Sequence, residues 1–300
     1  MSALRIGSRG SQLALWQANH IADALRALGH MVTIQIIKTT GDRLQDISFL
    51  AANPELQDGK GIFIKEIEEA LAAGSIDLAV HSLKDLPTEL AAQFVIATIP
   101  QRVDARDVLV TVGGKTLDEL PKNARVGTTS PRRQTQLLAL RDDLQFVAMR
   151  GNVDTRLRKL EEGQADALVL AAAGLERLEL TQHISHRFDV AEVCPAPGQG
   201  ALAIECRAND AVTQKLLQPL DDAATRYAVT AERAALHSLG GGCSVPIGIF
   251  CEPSGDGYML RGTRSLNNAL MRKLVTVDAS VSAEEAGARM AAAMQEVRFS

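Results

Sequence analysis

The sequence predicts an α/β protein with two related α/β domains, a hinge and an interdomain cleft between them, and a small α+β third domain. Strand-like and helix-like segments alternate from residue 4 onward, which is typical of βαβ units and a mostly parallel sheet. Similar motifs then recur in the same order in a second part of the chain. From Thr225 onward the pattern changes to a helix, a glycine loop, β-like segments and a final helix.

The first part of the chain gives the order of the elements. An amphipathic stretch followed by glycine predicts a helix and its end, because glycine readily takes the left-handed conformation there. The predicted elements are a strand at 4–7, a helix at 12–28 before Gly29, a strand at 32–37, a helix at 62–73 before Gly74 and a strand at 76–83. The polar stretch 41–61 has no clear periodicity and predicts a long loop, which is either a lid or a disordered insertion.

An internal repeat predicts the second α/β domain. Residues 5–8 (RIGS) are echoed by residues 125–128 (RVGT), and residues 74–80 (GSIDLAV) by residues 163–169 (GQADALV). Because the echoes fall in the same order, we infer two related domains. Residues 195–200 (PAPGQG) predict the hinge, and residues 201–206 a strand that returns to the first domain. Such an arrangement implies a cleft, where ligands usually bind.

Three domains follow from these patterns. The first comprises residues 1–100 with 201–218, the second residues 101–200, and the third residues 219–300. In the third domain, β-like segments at 247–251, 258–262 and 273–277 follow the glycine loop, which contains Cys243.

Composition excludes several classes of protein. The 300 residues are 46% hydrophobic and 23% charged, which is ordinary for a soluble globular protein. A net charge of −4 and only 3% aromatic residues argue against a general nucleic-acid binder. No apolar run approaches the length of a membrane span, and the N-terminus lacks a signal-peptide region. The four cysteines form no CxxC pair and have no histidine at metal-ligand spacing, so we expect no metal and a reducing cytoplasmic setting.

Arginines cluster between residues 125 and 159, although the chain as a whole is acidic. Ser130 suits a helix N-cap and Pro131 the first helical position, which places Arg132 and Arg133 in the first turn. Cations are unfavourable there, because the helix N-terminus is already electropositive. An anion docking on this end would offset the cost, and Arg150 and Arg156 lie around the next predicted helix start. The pattern favours a site for several carboxylates; solvated surface arginines are the alternative.

Two further residues carry candidate chemistry, and each has a plainer interpretation. Asp85 follows the strand at 76–83, where ligands of open α/β sheets bind, but a polar residue there is also a common turn former. Lys84 beside it would favour the ionised carboxylate. Cys243 stands among three glycines and a proline, which predicts an accessible thiol for covalent attachment, although cysteine is often a small buried apolar residue. Cys206 and Cys251 are predicted to be core residues.

The sequence resembles the porphobilinogen deaminase (hydroxymethylbilane synthase) family over essentially its whole length. The motifs that carry the resemblance are SRGSQLALWQ at 8–17, HSLKDLP at 81–87, VGTTS at 126–130 with RRQ at 132–134, RGNV at 150–153 with TRL at 155–157, GQG at 198–200 with IECR at 204–207, and GGCSVPIG at 241–248. The family is similar to two-domain periplasmic solute-binding proteins, in agreement with the internal repeat. Gln12 and Pro131 depart from the residues common in relatives, and Asp154 adds a negative charge among the arginines.

The resemblance implies an enzyme of tetrapyrrole and haem biosynthesis. Such enzymes condense four porphobilinogen molecules head to tail, with release of ammonia, into linear hydroxymethylbilane on a covalent dipyrromethane cofactor. Here it implies Cys243 as the thioether anchor and Asp85 as the catalytic carboxylate. It assigns to the cofactor region Lys84, Thr128, Ser130, Arg132, Arg133 and Gly200. It assigns to substrate or growing-chain binding Arg9, Ser11, Arg150, Arg156 and Arg177. We expect a monomer, with porphobilinogen as partner and no membrane or nucleic acid.

Two other functions remain open at the level of sequence. One is a non-catalytic binding protein for a polycarboxylate or oxyanion on the same two-domain architecture, which the missing signal peptide and the Cys243 loop disfavour. The other is an unrelated lyase that uses Cys243 as nucleophile, for which His237 is the only local base.

Overall fold

The computed structural model describes residues 2–39, 64–240, 245–266 and 269–295. The chain divides into two compact units, Met1–Gln101 with Ala201–Asp222 and Arg102–Gly200 with Ala223–Ser300. The predicted loop at 41–61 and Cys243 lie outside the described residues.

The first unit contains a five-stranded sheet in the order β2-β1-β3-β10-β4. Strands β1, β2 and β3 are parallel, and β10 is antiparallel to both of its neighbours. Strand β10 is therefore the reversed member of a mostly parallel sheet, and it is the strand that the sequence predicted to return to the first domain. The elements are β1 (Ala3–Ser8), α1 (Gln12–Ala27), β2 (Met31–Ile36), α2 (Lys65–Ala72), β3 (Leu78–Ser82), a 3₁₀ turn (Leu83–Asp85), β4 (Phe94–Thr98), β10 (Leu202–Arg207), α6 (Ala211–Leu217) and a 3₁₀ turn (Gln218–Leu220).

The second unit contains a sheet with the same arrangement, in the order β7-β6-β8-β5-β9. Strands β6, β7 and β8 are parallel, and β5 is the reversed strand. The elements are β5 (Asp107–Thr111), β6 (Arg125–Gly127), α3 (Pro131–Leu140), β7 (Gln145–Val147), α4 (Val153–Glu161), β8 (Ala167–Ala171), α5 (Ala172–Arg177), a 3₁₀ turn (Thr181–His183) and β9 (His186–Arg187).

The internal repeat corresponds to a repeated ion pair in the two sheets. In the first, the backbone N–H and the guanidinium of Arg5 donate to Asp77 at 2.7–3.0 Å. In the second, Arg125 makes the same set of bonds to Asp166 at 2.7–3.2 Å. Arg5 lies in β1 and Asp77 immediately precedes β3; in the same way, Arg125 begins β6 and Asp166 immediately precedes β8. The prediction of two related α/β halves is thus confirmed in topology and in detail.

A third sheet belongs to the second unit. Strands β11 (Ile247–Ser254), β12 (Gly257–Leu266) and β13 (Ala269–Asp278) form an antiparallel meander, and α7 (Ala223–Ser238) and α8 (Ala283–Gln295) accompany it. Its hydrophobic core is a cluster separate from the two clusters of the second α/β sheet. The predicted small α+β layer is therefore present, while the division into three domains with the stated boundaries stays a prediction.

Local signals set the ends of several helices. Gly29 follows α1 at φ +86° and Gly74 follows α2 at φ +67°, both in the left-handed region that was predicted for them. Strand β3 is shorter than the predicted strand at 76–83, because it begins only at Leu78 and the chain enters the 3₁₀ turn after Ser82. In the part of the chain that the structure describes, none of the helices is both long and apolar enough to cross a membrane.

Candidate functional site

Four of the predicted site residues follow neighbouring strands of the first sheet. Because β1 and β3 are parallel neighbours, their carboxyl ends lie at the same edge. Arg9 and Ser11 follow β1, and Ser11 caps α1 by accepting a hydrogen bond from the N–H of Ala14 at 3.3 Å. Lys84 and Asp85 follow β3. The structure thus places these four residues on one edge of the first sheet.

Asp85 is presented by a short turn that two leucines anchor. Leu83 is fully buried and Leu86 is 5% exposed, and the N–H of Leu86 donates to the carbonyl of Leu83 at 3.1 Å. Asp85 between them is exposed. The two interpretations of Asp85 therefore coincide: it belongs to a turn, and that turn holds its carboxylate at the carboxyl end of the strand.

The start of α3 is built as the sequence predicted. Ser130 is the N-cap, Pro131 is in the first turn, and Ser130 Oγ accepts from the N–H of Arg133 at 3.5 Å. Thr128 is buried, and its Oγ1 accepts from the N–H of Ser130 at 3.2 Å. This part of the second sheet therefore carries a hydrogen-bonded turn whose hydroxyl groups lie just before two arginines.

Arg132 and Arg133 are buried, and both are paired with one carboxylate that the sequence analysis did not identify. Asp107 on β5 is fully buried; it accepts from Arg132 Nη1 at 2.7 Å and from Arg133 Nε and Nη2 at 3.0 and 2.7 Å. Gln199 Nε2 also donates to Asp107, at 3.0 Å. Burial alone would raise the pKa of Asp107, but the two guanidiniums together hold it well below its ordinary value.

The pairing with Asp107 explains how two cations are tolerated in the first turn of α3. The sequence predicts that a docked anion offsets the cost of two cations in a first helical turn, and the structure supplies an anion from the protein itself, the carboxylate of Asp107. The alternative of solvated surface arginines is wrong for both residues. A signal for Asp107 exists in the sequence, because it is the one acid in the strand DVLVT, whose five residues are all buried. Its partners could not be inferred without the fold.

Arg150 and Arg156 flank the start of α4. Asn152 is its N-cap residue, Gly151 before it has φ +117°, and Arg156 Nε donates to the carbonyl of Gly151 at 2.8 Å. Arg150 is exposed, whereas Arg156 is partly buried. Asp154, which departs from the family pattern, lies exposed in the first turn.

Arg177 and Gly200 contact one another inside the second unit. Arg177 Nη2 donates to the carbonyl of Gly200 at 2.8 Å. Burial lowers the pKa of Arg177 to about 10, and the nearby Glu176 offsets this effect only in part. Gly200 has φ +87°, and a Cβ there would lie 2.7 Å from the carbonyl oxygen of Val103. Gly200 is therefore required by the close approach of two backbone segments, in addition to any role toward a ligand.

The described cysteines are buried in the two units. Burial raises the pKa of Cys194 to about 12 and that of Cys206 to about 11, and it also raises the pKa of Cys251. Cys206 and Cys251 are core residues, as predicted. Within the described ranges, no group of three or more His, Cys, Asp or Glu residues is placed to hold a metal.

The second unit suits an anionic group. Three buried guanidiniums, those of Arg132, Arg133 and Arg177, lie in this unit, and Asp107 pairs with two of them. The charges of Arg132, Arg133 and Asp107 sum to one positive charge. Guanidiniums bind carboxylates well, so carboxylates are the anionic groups that this arrangement favours.

The chain is similar to known proteins over nearly its whole length. A family model described as "Porphobilinogen deaminase, dipyromethane cofactor binding domain" matches residues 4–215, and one described as "Porphobilinogen deaminase, C-terminal domain" matches residues 226–296. Porphobilinogen deaminase of Brevibacillus brevis is 52% identical over 83% of this chain and 80% of its own length. That of Xanthomonas euvesicatoria is 48% identical over 95% of this chain and 92% of its own length. Among solved structures, the methionine-binding protein MetQ is 13% identical, with a TM-score of 0.47 over 75% of this chain and 92% of that one.

The fold defines a duplicated α/β protein whose second sheet has two buried arginines, Arg132 and Arg133, at the start of the helix that follows β6. The chain belongs to the porphobilinogen deaminase family. It is accordingly a transferase of tetrapyrrole biosynthesis, and it contains the dipyrromethane cofactor-binding domain.

Proposed function

We propose that this chain joins four porphobilinogen molecules head to tail, with release of ammonia, into linear hydroxymethylbilane. Family membership over residues 4–215 and 226–296 carries the proposal. Each pyrrole unit brings an acetate and a propionate, so the growing chain accumulates carboxylates. The arginines at the strand ends of the second sheet supply the opposite charge.

Cys243 anchors the dipyrromethane through a thioether. The residues that surround the dipyrromethane and bind its carboxylates are Lys84, Thr128, Ser130, Arg132, Arg133 and Gly200. When bound, the dipyrromethane supplies the free α-carbon that is the nucleophile toward the first substrate unit. The buried pair Arg132 and Arg133 supports this assignment, because a net positive charge held in a desolvated position favours a carboxylate.

The incoming substrate and the growing chain are held by Arg9, Ser11, Arg150, Arg156 and Arg177. Arg177 is the best supported of these residues. Arg177 is buried, and burial lowers its pKa because it penalises the positive charge; a carboxylate bound beside it would offset that penalty. Arg150 and Arg156 follow β7 at the same strand edge as Ser130, which agrees with one extended anion-binding region.

Asp85 is the catalytic carboxylate. Loss of ammonia from the substrate leaves a cationic, electron-poor pyrrole, and a negative charge placed beside it stabilises that cation. The carboxylate can also accept hydrogen bonds from pyrrole N–H groups and move protons between them. The exposed position of Asp85 on a turn with buried leucine anchors supports this role, because the turn is fixed while the carboxylate stays accessible.

The protein acts as a monomer in the cytoplasm, with porphobilinogen as its small-molecule partner. The buried thiols Cys194, Cys206 and Cys251 agree with a reducing setting. The separate small sheet with α7 and α8 would then serve as the domain that carries Cys243.

Intact-mass measurement tests the function. The purified protein should be heavier than its sequence by one dipyrromethane, and Cys243→Ser should lose this increment. Cys206→Ser and Cys251→Ser are the matched controls, and both should keep the adduct. An unmodified wild-type mass with full turnover would contradict the proposed attachment of the cofactor. An unmodified mass without turnover would contradict the proposed reaction and agree with a non-catalytic binding protein.

A further inference from the structure

The turn that carries Asp85 begins at the end of β3, and the last two residues of that strand are polar. Their side chains point to opposite faces of the sheet, because successive residues of a strand alternate. Val80 packs in the cluster that contains Ile21 and Leu25 of α1, so Ser82 shares that face. Ala79 packs with Ile67 and Leu71 of α2, so His81 shares the other face.

On the α2 face, His81 is bound to a fully buried carboxylate. His81 Nε2 and Glu205 Oε2 are 2.9 Å apart, and Glu205 on β10 is 0% exposed. The other oxygen, Glu205 Oε1, is buried and has no hydrogen-bond partner among the described residues. The charge of Glu205 also contributes, after burial, to raising the pKa of Glu68 on α2. A carboxylate in this position costs stability, which points to a role other than holding the core together.

On the α1 face, a second buried polar group holds the neighbouring residue. Gln17 of α1 is 3% exposed, and its Nε2 donates to Ser82 Oγ at 2.8 Å. Immediately after Ser82, the N–H of Leu83 donates to the carbonyl of Ala201 at 3.0 Å. The last residues before the turn are therefore held from both faces and along the sheet.

Neither side-chain pair is needed to form the strand. The backbone of β3 is already paired with β10 over five residue positions and with β1. Both pairs lie instead at the end of the strand, three and four residues before Asp85. Their common consequence is to fix the direction in which the chain leaves the sheet.

We propose that Glu205, acting through His81, and Gln17, acting through Ser82, are positioning residues for Asp85. The inference rests on the proposed function, because it assumes that Asp85 is the catalytic carboxylate. Displacement of a catalytic group by about 1 Å can reduce the rate on the order of 10²-fold. Removal of either pair should therefore lower kcat and change KM much less, since both pairs hold the end of β3, which leads into the turn with Asp85, whereas Arg9 and Ser11 follow β1.

The test compares Glu205→Leu, Glu205→Gln and Gln17→Leu with Thr98→Val. Thr98 is a matched control, because it is fully buried in the same sheet and its Oγ1 donates to the carbonyl of Leu217 at 3.0 Å, away from β3. For each variant, the adduct mass, the melting temperature, kcat and KM are measured. Glu205→Gln keeps an acceptor for His81 and removes the charge, so it tests whether the hydrogen bond is sufficient.

We expect all variants to carry the adduct. Glu205→Leu and Gln17→Leu should lose about tenfold or more in kcat with KM within about twofold; Glu205→Gln should recover most of this loss. Thr98→Val should lower the melting temperature and leave kcat unchanged. If Glu205→Leu does not fold, Gln17→Leu carries the same comparison.

Two results would overturn the inference. The first is a kcat equal to that of the wild type in Gln17→Leu and in whichever Glu205 variant folds. The second is loss of the adduct in those variants while Thr98→Val keeps it, which would assign the two side-chain pairs to cofactor assembly. Failure of the proposed function is distinguishable, because it would show as a missing adduct and missing turnover in the wild-type protein.

Discussion

Arg133→Leu should destabilise the protein even when no cofactor is present. In the native structure the guanidinium of Arg133 makes two hydrogen bonds to Asp107 and one to the carbonyl of Val169 at 2.9 Å. The leucine variant leaves Asp107 fully buried with one of its two cations removed. This substitution therefore has a structural effect that must be separated from any effect on the cofactor.

The magnitude follows from the burial of the pair. Breaking a buried ion pair by removing one partner costs about 3–5 kcal/mol. For a protein unit of roughly 150–250 residues, each kcal/mol lowers the melting temperature by about 2–4 °C. We therefore expect Arg133→Leu to melt about 6–20 °C lower, and the retained bond between Arg132 and Asp107 favours the smaller end of that range.

The assay uses a Cys243→Ser background, which lacks the proposed thioether anchor of the cofactor. Melting of Cys243→Ser is compared with melting of Cys243→Ser/Arg133→Leu by calorimetry. Cys243→Ser/Arg150→Leu is the control, because Arg150 is exposed and surface substitutions usually change stability by about 0.5 kcal/mol or less. If the Arg133 and Arg150 variants melted at the same temperature, Asp107 would not depend on Arg133, and the buried network would be wrong.

Four other measurements test single features of the site. Asp85→Asn should keep the adduct and lose turnover on the order of 10²-fold or more, and near-wild-type steady-state rates would exclude its electrostatic role. Arg9→Leu and Arg177→Leu should carry the adduct but stall during chain elongation, because each lost charge-assisted hydrogen bond to the growing chain costs roughly 1.5–3 kcal/mol. Adduct masses after brief exposure to porphobilinogen would show the stalled step, and the same series of adduct masses as in the wild type would contradict this prediction. Because burial raises the pKa of Cys194, Cys206 and Cys251, none should be alkylated by iodoacetamide in the native holoprotein at about pH 8, and one labelled peptide from these sites would refute it. The pKa of Asp107 is lower in the folded state than its ordinary value, so the ionised carboxylate contributes its full stability above the ordinary value, and this contribution is lost as the pH falls below it. Asp107→Asn should remove this part of the acid dependence, measured as the melting temperature between about pH 5 and pH 2. An unchanged dependence of the melting temperature on pH would count against the pairing of Asp107 with the two arginines.

The sequence was sufficient for the features that depend on neighbours along the chain. The alternation of strands and helices, the N-cap Ser130 and the left-handed Gly29 each follow from a few adjacent residues. The repeat was also visible, because Arg5 with Asp77 and Arg125 with Asp166 keep both their identity and their order.

Pairs across distant strands could not be found in this way. Asp107 meets Arg132 across 25 residues, and His81 meets Glu205 across 124. Both pairs involve the reversed strand of a sheet, whose place is not set by the order of the chain. The pattern of a single acid in an apolar strand marks such a residue, but only the topology identifies its partner.

The two reversed strands have a common property that follows from the duplication. Strand β10 carries Glu205 and β5 carries Asp107, and both acids are 0% exposed. Glu205 binds His81 near the end of β3, and Asp107 binds the two arginines at the start of α3. In each half, a buried carboxylate on the reversed strand therefore binds polar side chains that are predicted site residues or lie within a few residues of them. Because each carboxylate is fully buried, it offers no surface at which a ligand could bind it directly. We therefore expect a substitution that removes the charge of Glu205 or Asp107 to change stability or kcat before it changes the binding of substrate.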